Sequence, residues 1–240
     1  MTYEELENEQ FVANRAQLVS DNASFIVPAC NYNVKQDKRL LIPFVQNHKI
    51  GFVNREGVEI VKPKFDCYTG ECYKESDFIE VGIIYGYAYE RKNRVPEVYI
   101  RQKWGLLDSQ GKLVLEPNYS GIIISANAVI VRRAYGHEYD GSHSLLNSNF
   151  ETIVPFGVYR DIEPFENGLS RCRNHIWIEG KRKEVFSVIN EQGEIILKES
   201  ERNILPFYGK YKKRYLPYLK EIMRKENPEK TAEYFPVNLN

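Results

Sequence analysis

Apolar and polar positions alternate in short runs along most of this chain, and the same few residues punctuate the runs. In residues 103–122, KWGLLDSQGKLVLEPNYSGI, two apolar runs flank the polar stretch Asp108-Ser109-Gln110-Gly111. Short apolar runs bounded by turn formers predict β-strands, and two such runs around a tight polar loop predict a hairpin. The layout recurs as IGFVNREGVEIVKPKFD from Ile50, HSLLNSNFETIVPFGVYRDI from His143 and FSVINEQGEIILKESER from Phe186. A weaker copy, QLVSDNASFIVPACNY, starts at Gln17.

The recurring residues have physical reasons. Asp21, Asn54, Asp108, Asn147 and Asn190 open the turns, where a short acceptor side chain reaches the backbone N–H two residues on. Gly57, Gly111 and Gly193 follow three residues later and accept the left-handed conformation that closes the turn with a bulge. The third copy has Phe150 there, with Asn149 beside it to take the positive φ, and the first has Ser24. A small residue precedes each turn (Gly51, Gly105, Ser144, Ser187), so that a neighbouring strand can approach closely. Pro28, Pro63, Pro117 and Pro155 are expected to end the strand after the turn, because proline cannot donate to a ladder. An aromatic follows: Tyr32, Phe65, Tyr119 or Tyr159. Between copies, further hairpins are expected around the polar turns 91–96, 136–141 and 180–183.

Turn openers recur roughly every 33 to 54 residues, the spacing of propellers and β arrays. The pattern therefore predicts an all-β fold. It is an imperfect β-hairpin repeat array, open or propeller-like, with short helices at the N- and C-terminal ends. Unequal copy lengths favour the open form. Residues 1–16 form an N-terminal helical cap, with Leu6, Phe11, Val12 and Ala13 on one side; residues 17–208 form the repeat domain; residues 209–240 form a C-terminal helix and tail. Pro217 either breaks that helix or marks the first turn of one running through Tyr218, Leu219, Ile222 and Met223. The last ten residues read as extended. The acidic first helix and the basic last one either pair or stand as two solvated faces.

The string W-G-x-x-D-x-x-G at Trp104, followed by a strand, a proline and an aromatic, resembles the WG-repeat (KWG) family. Ile50-Gly51, His143-Ser144 and Phe186-Ser187 stand in for Trp-Gly in the other copies, and YRDIEPFENGLSRCR is similar to that family's middle segment. The resemblance spans roughly residues 17–208. It implies a β-rich repeat protein that serves as an interaction module and has no catalytic residues to carry over. One form it implies is an immunity or antitoxin-like protein that masks a partner.

Composition narrows the function further. Lys+Arg and Asp+Glu balance at 33 each, which argues against nucleic acid or an anionic membrane as partner. The acidic N-terminus lacks a leader's apolar core, so a cytoplasmic location is expected. Cys30, Cys67, Cys72 and Cys172 have no metal-site spacing and read as reduced, partly buried thiols. His137 and His143 flank Glu138 and Asp140 in GHEYDGSH, a set that could ligate a metal but fits a polar turn better; no cofactor is expected.

Tyrosine is abundant, at 17 residues, and suits both strands and interfaces. Tyr85, Tyr87 and Tyr89 at period two are expected to share one strand face, joined by Tyr99, with Arg91, Arg94 and Arg101 nearby. Arg132, Arg133 and Tyr135 form a second stripe. Arg171, Arg173 and Trp177 form a third, with Cys172 on the opposite face. These residues are the candidate partner-binding surface. The expected function is non-catalytic binding of another protein; the alternatives are a carbohydrate-binding repeat protein or, more remotely, a metal-dependent enzyme.

Overall fold

The computed structural model describes residues 37–92, 95–125, 127–133, 143–200, 212–226 and 228–234. The expected N-terminal helix and the weak first copy lie outside them, as do Cys30, the 136–141 turn and residues 235–240. The strands run β1 (Ile42–Gln46), β2 (Lys49–Val53), β3 (Glu59–Phe65), β4 (Cys67–Thr69), β5 (Ile79–Lys92), β6 (Val95–Leu107) and β7 (Leu113–Ile124). They continue with β8 (Ala128–Arg133), β9 (His143–Asn147), β10 (Thr152–Tyr159), β11 (Asp161–Ile162), β12 (Leu169–Ile178), β13 (Lys181–Asn190) and β14 (Ile195–Ser200). Two helices follow, α1 (Lys212–Glu226) and α2 (Pro228–Tyr234). The described residues are all-β apart from this helical end, and the chain divides into two compact units, residues 1–118 and 119–240, with the boundary inside β7.

Four of the five sequence copies are described, and each is a three-stranded antiparallel meander: β1-β2-β3, β5-β6-β7, β8-β9-β10 and β12-β13-β14. The strand before the turn sits in the middle of each. The hairpins expected around 91–96 and 180–183 form, with Lys92 opposite Val95 and Ile178 opposite Lys181. Beyond the meander the chain passes to the next copy: β4 pairs with β5, the second half of β7 with β8, and β11 with β12.

The turn is the same object four times. Oδ1 of Asn54 accepts from the N–H of Glu56 and Val58 at 3.1 and 2.9 Å. Asp108 does so with Gln110 and Lys112 at 3.0 and 2.9 Å, Asn147 with Asn149 and Glu151 at 2.9 Å each, and Asn190 with Gln192 and Glu194 at 3.1 and 2.8 Å. The opener's carbonyl accepts from the residue three on at 2.9–3.0 Å in every copy. That residue is left-handed: φ is 80° at Gly57, 79° at Gly111, 64° at Phe150 and 77° at Gly193. Phe150 itself, rather than the expected Asn149, takes the positive φ, because the hydrogen-bond pattern fixes the position and the residue type follows. An Asn54→Ala change removes two charge-neutral bonds to backbone donors and is expected to cost about 1–2 kcal/mol in chemical denaturation.

The small residue before the turn faces a bulge. Ile50 and Phe52 pair with Phe65 and Val61, so three residues of β3 span the place opposite Gly51. A Cβ on Gly51 would lie 2.5 Å from the Val61 carbonyl oxygen, and one on Gly105 would strike the Leu115 carbonyl and lie 2.7 Å from the Pro117 nitrogen. In the third copy Ser144 stands there, and its buried hydroxyl donates to the equivalent carbonyl, that of Val154, at 2.8 Å. Pro63, Pro117 and Pro155 are not strand ends, as expected from sequence, but sit inside β3, β7 and β10. A bulge leaves backbone N–H groups outside the ladder, so a residue with no N–H fits without loss.

Each unit has its own apolar core. In the first, Leu41, Ile50, Phe52, Val61, Phe65, Ile79, Val81 and Leu107 pack together, and a Cβ on the turn residue Gly111 would meet Ile60 and Val61 Cγ2 at 2.6 and 2.7 Å. In the second, Gly193 meets Ile153 and Val154 in the same way at 2.6 and 3.1 Å. The turns at Gly111 and Gly193 thus each rest on a strand of the copy before. The last copy is closed by α1, whose Leu219, Ile222 and Met223 pack on Phe186, Val188, Ile196 and Leu197. Pro217 lies well inside α1, neither breaking nor starting it, because this packing outweighs one missing backbone bond. Residues 231–234, expected to be extended, form the end of α2, with the Tyr234 hydroxyl 3.0 Å from Asn190 Nδ2.

Candidate functional site

The second unit brings charged side chains together along β12 and β13. Arg171, Arg173, His175 and Trp177 alternate along β12, paired with Val188, Phe186, Glu184 and Arg182. Cross-strand partners share a face, so these eight residues form one ladder, and Cys172 is buried on the other face as expected. At its inner end the ladder opens into a cavity of about 350 Å³. Arg132, Arg171, Arg173, His143, Asp161 and Glu163 give the cavity polar walls, and Ile123, Ile162 and Pro164 apolar ones.

β11 and the residue after it supply the counter-charges. Asp161 lies opposite Arg173, and the Glu163 N–H donates to the Arg171 carbonyl at 3.0 Å. Arg171 is only 7 % exposed; its Nε donates to Glu163 Oε1 at 3.0 Å, Nη2 joins the same oxygen, and the guanidinium lies 4.9 Å from the Phe186 ring centroid. Arg173 donates from Nε to Asp161 Oδ2 at 2.7 Å and reaches Glu184 at 3.6 Å.

His143 is 5 % exposed and fixed at both nitrogens. Nδ1 donates to the Arg160 carbonyl at 2.9 Å, so Nε2 accepts from Arg132 Nε at 3.3 Å. These partners select the neutral ring with its proton on Nδ1. Burial, followed by the Arg132 and Arg173 cations, holds its pKa below the usual 6.5, although the Arg160 carbonyl and Asp161 pull the other way. The folded chain binds this proton less readily than the unfolded chain. His143 therefore contributes stability that is complete above pH 6.5 and is lost as pH falls towards the lowered value. Chemical denaturation at pH 7.5 and 5.5 should show this loss, and His143→Gln should reduce the difference.

The outer end of the ladder is open. His175 lies within 3.0 Å of Arg160 Nη1 and of Arg182 Nη2, and 3.3 Å from Glu184. Burial and then those two arginines lower its pKa. Trp177 stands next along the strand, 73 % exposed.

The other predicted site residues are dispersed. The β5–β6 register slips at Tyr85, which is 42 % exposed with Lys103 Nζ 5.2 Å from its ring. Tyr87 and Tyr89 pair with Ile100 and Val98, whereas Tyr99 pairs with Ala88. Tyr99 therefore does not pair with Tyr87 or Tyr89, and the bulge takes Tyr85 out of their register. The side chains of Tyr87, Tyr89, Arg91 and Tyr99 lie outside the described residues, as do Arg94 and Tyr135. Arg133 packs 5.0 Å over Phe156, which stacks on Tyr119. Of the expected histidine turn, His137, Glu138 and Asp140 lie outside the described residues. His143 is a strand residue turned into the cavity rather than part of a polar loop.

Cys67, Cys72 and Cys172 are buried and form no disulfide; desolvation raises the Cys67 thiol to about 12. Among the described residues no cluster of three or more His, Cys, Asp or Glu could hold a metal, and no helix is long and apolar enough to cross a membrane. The sequence reading missed Arg160, Asp161, Glu163, His175, Arg182 and Glu184. The spacing Asp-x-Glu at 161 and 163 against Arg-x-Arg at 171 and 173 carried the information: alternate acids face alternate bases across an antiparallel pair.

No curated protein matches the chain. The family profile of the WG containing repeat matches residues 50–66, 104–125 and 144–174, which fall on the first three described meanders. The last match also runs into β12 of the fourth meander, whose turn lies beyond it but has the same Asn190 opener, the same left-handed Gly193 and a buried Ser187 at the small position. Three stretches of this chain thus match the WG containing repeat, and a fourth copy repeats their turn in the same geometry.

Proposed function

We propose that this protein is a non-catalytic module that binds another protein through the β12–β13 ladder. The observation that carries this reading is Trp177, 73 % exposed on a paired strand, with Arg182 across from it and His175 next along the same face. Isolated large aromatics beside arginine are the residues that dominate protein interfaces, and a rigid hairpin presents them at little entropic cost. The acids at the inner end support a binding role over acid–base chemistry, because guanidinium groups engage both Asp161 and Glu163. An immunity-type binder that masks a partner in the cytoplasm is the specific form this reading takes.

The test is affinity capture from native cells with wild-type protein and with Trp177→Ala plus Arg182→Ala. A partner held in fixed stoichiometry by the wild type and lost by the double variant is the expected result. A partner held equally by both overturns the assignment of this surface. Glycan-array binding with no protein partner would shift the reading to carbohydrate.

A further inference from the structure

We infer that the cavity at the inner end of the ladder is a receptor for a single carboxylate, supplied by a glutamate side chain in an acidic segment of the partner protein. This rests on the protein-binding reading and adds the chemistry of what is bound. Three guanidinium groups line the cavity, but they are not equivalent. Arg171 is engaged by Glu163, and Arg173 by Asp161 and Glu184. Arg132 lies on an exposed position of β8 and, among the described residues, makes no ion pair; its side-chain bond runs from Nε to His143. That bond orients the guanidinium while leaving both Nη groups as donors, the parallel pair that recognises a carboxylate. His143 is the positioning residue: its own Nδ1–H is anchored on the Arg160 carbonyl, so Nε2 of the neutral ring offers Arg132 an acceptor.

The charge of the walls selects the anion. Three guanidinium groups against Asp161 and Glu163, with His143 neutral, leave one positive charge. A monoanion completes it, whereas a phosphate dianion adds a charge facing two fixed carboxylates. Ile123, Ile162 and Pro164 give the cavity an apolar wall for methylene groups. A glutamate side chain has both parts: a planar carboxylate and an aliphatic stem. The cationic excess continues outside, where Arg160 and Arg182 flank His175 and Glu184 faces them. A segment with further acidic residues is therefore attracted along the ladder towards Trp177.

The test uses the full chain and two peptides, acetyl-Ala-Ala-Glu-Ala-Ala-amide and its Gln counterpart, titrated at pH 7.5 and low salt. The readouts are the arginine Nε–H and histidine ring nitrogen resonances. The Glu peptide should shift the Arg132 and His143 resonances saturably and bind at least tenfold more tightly than the Gln peptide. Inorganic phosphate and acetate, added separately, should bind more weakly than the Glu peptide. Arg132→Gln should abolish the difference between peptides, and Arg132→Lys should reduce it while retaining the charge; unchanged far-ultraviolet circular dichroism verifies folding. Equal binding of the two peptides, an undiminished difference in Arg132→Gln, or tighter binding of phosphate overturns the proposal. Peptide discrimination in a protein whose captured partner ignores Trp177 would remove the ladder surface and leave the receptor standing. Trp177-dependent capture without peptide discrimination would do the reverse.

Discussion

Gly105→Ala is expected to lower the stability of the first unit by about 3 kcal/mol, a fall in melting temperature of roughly 10 °C. The added methyl would meet the Leu115 carbonyl, the Glu116 carbon and the Pro117 nitrogen, all of them backbone atoms of the bulge. A flexible side chain could swing away, but a backbone held by a ladder on one side and by a proline ring on the other cannot. Gly57→Ala is the matched control. It has open space around the new methyl and differs only in its φ of 80°, so it should cost roughly 1 kcal/mol. Urea denaturation of both variants gives the ordering. A Gly105→Ala protein as stable as Gly57→Ala would mean that the bulge is soft and that the small residue has no steric role.

The second large effect is at the ion pair of the cavity. Glu163→Ala removes a carboxylate from a guanidinium that is 7 % exposed and packed on Phe186, and should cost about 3–5 kcal/mol. The attraction between the two charges is not the whole of that figure; most of it is the penalty of keeping the Arg171 charge in a poorly hydrated place. Replacing both partners, Glu163→Leu with Arg171→Met, should therefore restore most of the lost stability. Equal destabilisation by the single and double variants would locate the effect in packing rather than in charge.

The parts of this fold that could be read from sequence are those determined within a few residues. Asn54, Asp108, Asn147 and Asn190 bond to their own next turn of chain, so their role follows from residue type and spacing alone. The bulges inside the strands were not legible, and the misreading of the prolines and of Tyr85 traces to them. Pro63, Pro117 and Pro155 look like strand ends until the extra residues opposite Gly51, Gly105 and Ser144 are known. Tyr85 belongs with Tyr87 and Tyr89 until the register slips, and Tyr99 pairs with Ala88 through a hairpin parity that a sequence does not record. For the site, Arg171, Arg173 and Trp177 were visible as an alternating stripe. That Arg171 would be buried was not, because the acid that pairs with it, Glu163, lies just after β11, eight residues earlier.

The turn and bulge fix every copy, whereas the arms leading into them are unconstrained: β1 and β2 have 5 residues each, β5 and β6 have 14 and 13, and β12 and β13 have 10 each. Length and composition of these fingers can therefore change independently of the joints that hold the chain together. Such a scaffold is open to refitting: transplanting one finger, with its Trp177 and arginines, would move the proposed binding surface from one position to another while every joint kept its original residues.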